Sequence, residues 1–184
     1  MRHTPAMPEN IEIKAIARDW QRLLTIAEKL TGAAAALVEQ SDTFFAVPAG
    51  RLKLRQLTPD HGELIFYQRP DVPGPALSGY TITRTDCPRS LRDTLASALG
   101  VCGEVHKRRW LFLCEKFGGH TRIHLDEVKG LGHYIELEVV LNHDQQPEDG
   151  ERIAAELRNA LDIRDEDLID CAYVDLVTSH SGGL

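Results

Sequence analysis

The feature that most narrows the fold is alternation. Eight short runs place apolar and charged side chains on opposite sides with a period of two: 11–17, 43–47, 52–57, 63–69, 80–84, 105–114, 121–127 and 133–141. That period marks strands with two distinct faces. Turn signals separate many of the runs: Pro48-Ala49-Gly50, Pro59 to Gly62, Pro70 to Gly74, Gly118-Gly119 and Gly130-Leu131-Gly132. Such short links imply antiparallel pairing. Three stretches carry helical spacing instead. They are 19–30, with Trp20, Leu23, Leu24, Ala27 and Leu30; 88–99, with Leu91, Leu95, Ala98 and Leu99; and 147–161, with Ile153, Ala154, Leu157 and Leu161. Gly32 and Gly100 follow the first two as stops, and Pro147 with Glu148, Asp149 and Glu151 suits the start of the third.

The alternation is unusual in its polar half, which carries charges of both signs. Glu12 and Lys14 share a face, as do Arg51, Lys53 and Arg55, then Lys107 and Arg109, then Arg122, His124 and Asp126, then Glu136 and Glu138. With Arg18 and Arg69, these faces offer nine bases against four carboxylates, whereas the 184-residue chain has 21 Lys and Arg against 28 Asp and Glu, a net charge of -7. The basic set is therefore a concentrated exception in an acidic protein. Solvated outer faces guarded by Lys and Arg would explain any single strand. They explain the repetition poorly, because Arg51, Lys53 and Arg55 stand about 7 Å apart on one face and repel unless an anion neutralises them. Closing the strands into a barrel would turn these faces inward and line a tunnel. Guanidinium forks pair with phosphate oxygens, so such a tunnel suits a triphosphate. Glu12, Asp126, Glu136 and Glu138 form a hard-oxygen set suited to Mg²⁺ or Mn²⁺, ions that neutralise charge in phosphoryl transfer.

The composition excludes several classes. At 42% hydrophobic and 27% charged the chain is globular, and its length suits one domain, expected over 9–177 with a flexible segment at 1–8 and a tail at 178–184. The acidic balance argues against a nucleic-acid partner. No apolar run approaches the roughly 18–20 residues of a membrane span, and residues 1–8 lack a secretory apolar core, so no membrane partner and a cytoplasmic location are expected. Cys87, Cys102, Cys114 and Cys171 are unevenly spaced without a C-x-x-C pair, as in ordinary intracellular thiols.

The ordered motifs N-I-E-I-K, Q-S-D-T-F-F, G-R-L-K-L-R, L-I-F-Y-Q-R-P, V-H-K-R-R-W-L-F and R-I-H-L-D-E-V-K-G-L-G-H-Y-I-E-L-E resemble the CYTH superfamily. These are the triphosphate tunnel metalloenzymes, named for class IV adenylate cyclase and thiamine triphosphatase. The match runs from about Asn10 to Val140, and D-L-I-D-C-A-Y-V-D-L resembles the family's closing segment. The resemblance implies an α+β fold, an eight-stranded antiparallel closed β-barrel with flanking helices. It implies triphosphate binding by Lys14, Arg51, Lys53, Arg55, Arg69, Lys107, Arg109 and Arg122, and metal binding by Glu12, Asp126, Glu136 and Glu138. Lys14 would contact phosphate or orient the attacking group, a catalytic role. Arg18, Arg84 and Tyr173 match less closely. One departure stands out. The family signature E-x-E-x-K here begins with Asn10, an amide, and Glu9 points to the opposite face. At least one metal position is expected to survive on Glu12, Glu136 and Glu138.

The expected substrate is a small triphosphate: ATP, tripolyphosphate or thiamine triphosphate. Two reactions remain open, cyclisation of ATP to cyclic AMP and pyrophosphate, and hydrolysis. A non-catalytic module that binds polyphosphate or a nucleotide is the alternative, kept by Asn10. A homodimer is a further candidate association. His120, His124, His133 and His143 lie near one another in sequence, but zinc needs at least three converging ligands. His124 is expected to line the tunnel, and Asp42 to reach its mouth. Gly130-Leu131-Gly132 lacks the strand–turn–helix setting of a phosphate loop and is expected as a turn. No Ser–His–Asp or Cys–His pattern for covalent catalysis stands out.

Overall fold

A computed structural model of the protein describes residues 7–115 and 120–181, and the statements below concern those residues. Most of the expected N-terminal segment, the turn signal at 118–119 and the last three residues lie outside them. All eight expected strands form: β1 (Glu9–Ile16), β2 (Ala36–Phe45), β3 (Arg51–Thr58), β4 (His61–Gln68), β5 (Ala76–Thr85), β6 (Val101–Cys114), β7 (His120–Val128) and β8 (Gly132–Val140). They close into a barrel in the order β1-β5-β4-β3-β2-β6-β7-β8, with β8 returning to β1 and each neighbouring pair antiparallel. The helices are α1 (Trp20–Thr31), α2 (Pro88–Leu99), α3 (Pro147–Ala160) and α4 (Tyr173–Ser181). The fold is therefore the α+β closed barrel with flanking helices that the sequence implied.

Local chemistry explains where the helices start and stop. The Asp19 carboxylate accepts the N–H of Arg22 at 3.1 Å, and Gly32 ends α1 in the left-handed region at φ 69°. Pro147 opens α3, where Asp149 accepts the Gln146 N–H at 3.1 Å. β6 begins at Val101 rather than 105, and two further strands extend beyond the expected runs in the same way. β2 begins at Ala36 rather than 43, and β5 at Ala76 rather than 80. Their added residues pair with β6 and with β1, so barrel closure lengthens strands whose own alternation is weak.

The larger apolar core lies outside the barrel wall. Ile11, Ile13 and Ala15 of β1, Ile123 and Leu125 of β7, and Ile135, Leu137 and Val139 of β8 pack beneath Leu23 and Ala27 of α1 and Ile153, Ala154 and Leu157 of α3. A Cβ on Gly150 would stand 2.6 Å from Ile11 Cγ1, so the glycine lets α3 sit close on β1. The opposite face of these strands points into the barrel, as the period of two requires. A smaller cluster of Phe44, Val105, Val128, Tyr134, Ala172, Tyr173 and Val174 fills one end. Here α4 lies across β6, and a Cβ on Gly103 would stand 2.7 Å from Val174 Cγ2. The sequence pattern gave no indication of α4, which extends the structured chain to Ser181.

Candidate functional site

The barrel interior is a cavity that opens to solvent. Lys14, Lys53, Arg55, Arg69, Lys107, Arg109 and Arg122 line it, together with Glu12, Asp42, Glu136 and Glu138. Seven bases thus face four carboxylates, and the wall keeps a positive surplus. Seven of the eight expected phosphate-binding residues converge here. Arg51 does not: its guanidinium bonds to Asp71 at 2.8 Å and Asp175 at 3.0 Å, tying β3 to α4 and to the β4–β5 link. Arg18 and Arg84 also lie away from the cavity lining, and Arg18 pairs instead with Asp167.

The bases are held in two ways. Asp42 anchors one group: it accepts both forks of Arg55 at 2.9 and 3.0 Å and the Lys53 ammonium at 3.0 Å. Burial alone would raise the Asp42 carboxyl, but Arg55 and Lys53 hold it well below the usual carboxylate range. Asp126 anchors the other. It is fully buried and accepts Arg109 at 2.7 and 2.6 Å, Lys107 at 3.3 Å and the Tyr173 hydroxyl at 3.1 Å. Asp126 therefore stands behind the cavity wall as a counter-charge, whereas Glu12, Glu136 and Glu138 line the cavity itself. Burial and the neighbouring Arg109 charge bring the Lys107 ammonium down to about 8, against the pull of Asp126 and Glu136.

Lys14 sits near the end closed by α4. Its ammonium lies 3.2 Å from Glu136, donates to the Cys171 carbonyl at 3.4 Å and stacks 4.3 Å above the Tyr173 ring. Arg109 reaches Glu136 as well. Burial would raise the Glu136 carboxyl, yet Lys14, Arg109 and Lys107 keep it well below its ordinary value. Glu12 behaves oppositely. Burial, then Glu138 and Glu136, push its carboxyl up, and Arg69 and Lys14 offset this only in part. Glu12 and Glu138 are opposite one another on β1 and β8, so two carboxylates share one patch of wall.

Several polar atoms in this interior are buried without a hydrogen-bond partner: Nε and Nη2 of Arg69, Oδ1 of Asn10, Oγ of Ser78 and Nδ1 of His124. Buried donors and acceptors are normally satisfied, so a cluster of orphans marks groups arranged for something else. The Arg69 nitrogens fit an anion. The Asn10 oxygen, with the Glu12, Glu136 and Glu138 carboxylates, is a donor set that fits a divalent cation. Those residues would hold a divalent ion, and Asn10 would join them through a neutral carbonyl.

Sequence reasoning named two parts of the site without giving them their roles. Asp42 was expected at the tunnel mouth but lies buried inside as the anchor of Lys53 and Arg55; its place two residues before Phe44 on the inward face of β2 was the available signal. Tyr173 enters the cavity from α4 and contacts both Lys14 and Asp126, and no periodicity announced it.

Comparisons with known proteins agree with this architecture. No curated protein matches the sequence. Among solved structures, the PH1012 protein of Pyrococcus horikoshii superposes with a TM-score of 0.77 at 21% identity, covering 91% of this chain and 98% of that one. A candidate adenylate cyclase of Vibrio parahaemolyticus gives 0.69 at 18% identity over 92% and 97% of the two chains. The Hippeastrum protein HpAC1, a candidate adenylyl cyclase described as having a dominant triphosphatase activity, gives 0.64 at 15% identity over 97% of each chain. At these identities the likenesses establish the fold. The model of the CYTH domain matches residues 8–173, which span the whole barrel, and the chain belongs to the CYTH domain family.

Proposed function

We propose that this protein is a divalent-metal-dependent enzyme that holds a triphosphate in its tunnel and breaks one of its phosphoanhydride bonds. The observation that carries the reading is the Arg69 guanidinium, buried on the cavity wall with two nitrogens unpartnered, in a wall that already holds six other bases. Leaving donors and like charges buried costs several kcal/mol unless an anion completes them. A chain of phosphates does so for several bases at once.

In this reading Lys53, Arg55, Arg69, Lys107, Arg109 and Arg122 bind and straighten the triphosphate, which brings the scissile bond to a fixed place. Asp42 on the cavity wall and Asp126 behind it keep four of these bases aimed. A divalent ion on Glu12, Glu136 and Glu138 would neutralise charge that develops on the phosphoryl oxygens. Lys14 contacts a phosphate or orients the attacking oxygen beside Glu136 and Tyr173. The nucleophile is water attacking the terminal phosphorus, or the ribose 3′-hydroxyl of ATP attacking the α-phosphorus. The same walls serve both, and fold does not choose between them. Product analysis does. Purified protein is incubated with Mg²⁺ or Mn²⁺ and, separately, ATP, tripolyphosphate or thiamine triphosphate. Orthophosphate identifies a hydrolase, and cyclic AMP with pyrophosphate a cyclase. Glu136→Ala should abolish turnover, and full activity in that variant would overturn the metal assignment.

Asn10 favours a second reading, a module that binds polyphosphate or a nucleotide without cleaving it. Tight tripolyphosphate binding with no product in either metal would support it over the enzyme.

A further inference from the structure

The carboxylates of β8 have a nitrogen neighbour that the reading above does not use. His124 lies in register with Glu136, is 3% exposed, and its Nδ1 has no hydrogen-bond partner. That nitrogen stands 3.7 Å from a Glu136 oxygen and 3.8 Å from a Glu138 oxygen. One ligand atom from each of the three residues lies within 4.8 Å of the other two. The two measured separations are too long for hydrogen bonds. They match atoms that share one cation: ligands about 2.1 Å from a common ion are about 3.0–4.2 Å apart, from right-angled to opposed positions.

The neighbouring positions explain why a nitrogen would matter in this chain. Asn10 stands where a carboxylate would add negative charge, and it brings a neutral oxygen. A smaller negative charge penalises Mg²⁺ most, since that ion relies on hard, charged oxygens and sheds water reluctantly. An imidazole offers no special gain to Mg²⁺, whereas first-row transition ions accept nitrogen readily.

Building on the metal-dependent reading of the tunnel, we propose that His124 is a metal ligand, forming with Glu136 and Glu138 a mixed nitrogen–oxygen site that prefers a first-row transition ion such as Mn²⁺ to Mg²⁺. The pull of Lys14 and Arg109 on Glu136 does not remove the site, because Glu138 offers a second carboxylate, paired at 3.2 Å with the exposed Arg122. His124 thereby gives the interior of β7 a chemical role alongside the counter-charge of Asp126.

The test uses Mn²⁺ itself on the whole protein without substrate. Pulsed electron paramagnetic resonance of the wild-type protein with Mn²⁺ should show ¹⁴N modulation from a directly bound imidazole, and calorimetry should show Mn²⁺ bound about tenfold or more tightly than Mg²⁺. In His124→Gln the modulation should vanish and Mn²⁺ affinity fall about tenfold, while Mg²⁺ affinity changes by less than about twofold. Mn²⁺ bound without nitrogen modulation overturns the proposal, as does an equal loss for both metals. The spectrum of the wild-type protein decides even if the variant fails to fold. Tripolyphosphate cleavage is measured separately. Turnover with Mn²⁺ bound by oxygen alone removes His124 and leaves the enzyme reading intact; nitrogen-bound Mn²⁺ without turnover keeps His124 and removes the enzyme reading.

Discussion

Lys107 illustrates how one residue's environment becomes a property of the site. Its ammonium is buried beside Arg109, which brings its pKa down to about 8, and Asp126 limits the fall. Below that pH Lys107 is charged and adds to the surplus that attracts phosphate. Above it the side chain is neutral and one positive charge is gone. Tripolyphosphate affinity should therefore be highest below about pH 8 and fall as pH rises through it, with proton uptake on binding at the alkaline end. Calorimetry in two buffers of different ionisation enthalpy measures both, and in Lys107→Gln the step near pH 8 should disappear. Arg69 permits a simpler test. Removing a charge-assisted pair costs about 1.5–3 kcal/mol, so Arg69→Ala should weaken tripolyphosphate binding roughly 10- to 150-fold. Unchanged affinity would mean that its orphan nitrogens serve no ligand. Both residues were legible in the sequence, because each sits at the inward parity of its run. The carboxylates that pair with them, Asp126 with Lys107 and Glu12 with Arg69, come from other strands. Only the pairing of those strands sets their distances.

At the scale of elements, the eight strands and three of the helices were visible and α4 was not. The difference lies in what holds each together. α1 and α3 carry apolar residues at helical spacing and recognisable caps, so their faces are written locally. α4 reads Tyr-Val-Asp-Leu-Val-Thr-Ser-His-Ser, rich in β-branched and small polar residues of modest helix propensity. It forms because Tyr173 and Val174 are buried against Phe44, Val105 and Tyr134, a contact between residues far apart in the chain. Gly103 makes the approach possible. Gly103→Val should press on Val174 and lift α4 while the barrel wall stays closed, since the larger core lies on the other side. Hydrogen exchange should show faster exchange confined to 173–181. Tripolyphosphate affinity should also fall, because Tyr173 then no longer supports Lys14 and Asp126. Uniform loss of protection across the barrel would refute this division of labour.

For the whole molecule, closure decides what the charges mean. The chain has a net charge of -7, yet seven bases line the cavity against four carboxylates. The barrel therefore confines like charges that a polyanion would relieve. Tripolyphosphate at one hundred times its dissociation constant should stabilise the fold by about 2.7 kcal/mol, roughly 5–10 °C in Tm for a domain of this size. Differential scanning fluorimetry should show that shift with tripolyphosphate. No shift at saturating tripolyphosphate would refute the anion-binding tunnel. Among the described residues no helix is long and apolar enough to cross a membrane.

The sequence by itself determined the strands, their two faces, the antiparallel links and the identity of nearly all the cavity's charged residues, because a period of two is a local property that fixes which side each residue faces. It also carried the family motifs and the departure at Asn10. Only the tertiary structure decided which of those charges meet. It tied Arg51 to Asp71 and Asp175, set Asp126 behind the wall and Asp42 within it, brought Tyr173 in from α4, and placed His124 beside two carboxylates. Such meetings depend on the register of strands separated by up to a hundred residues and more, and on the closing of β8 against β1, which no local pattern encodes.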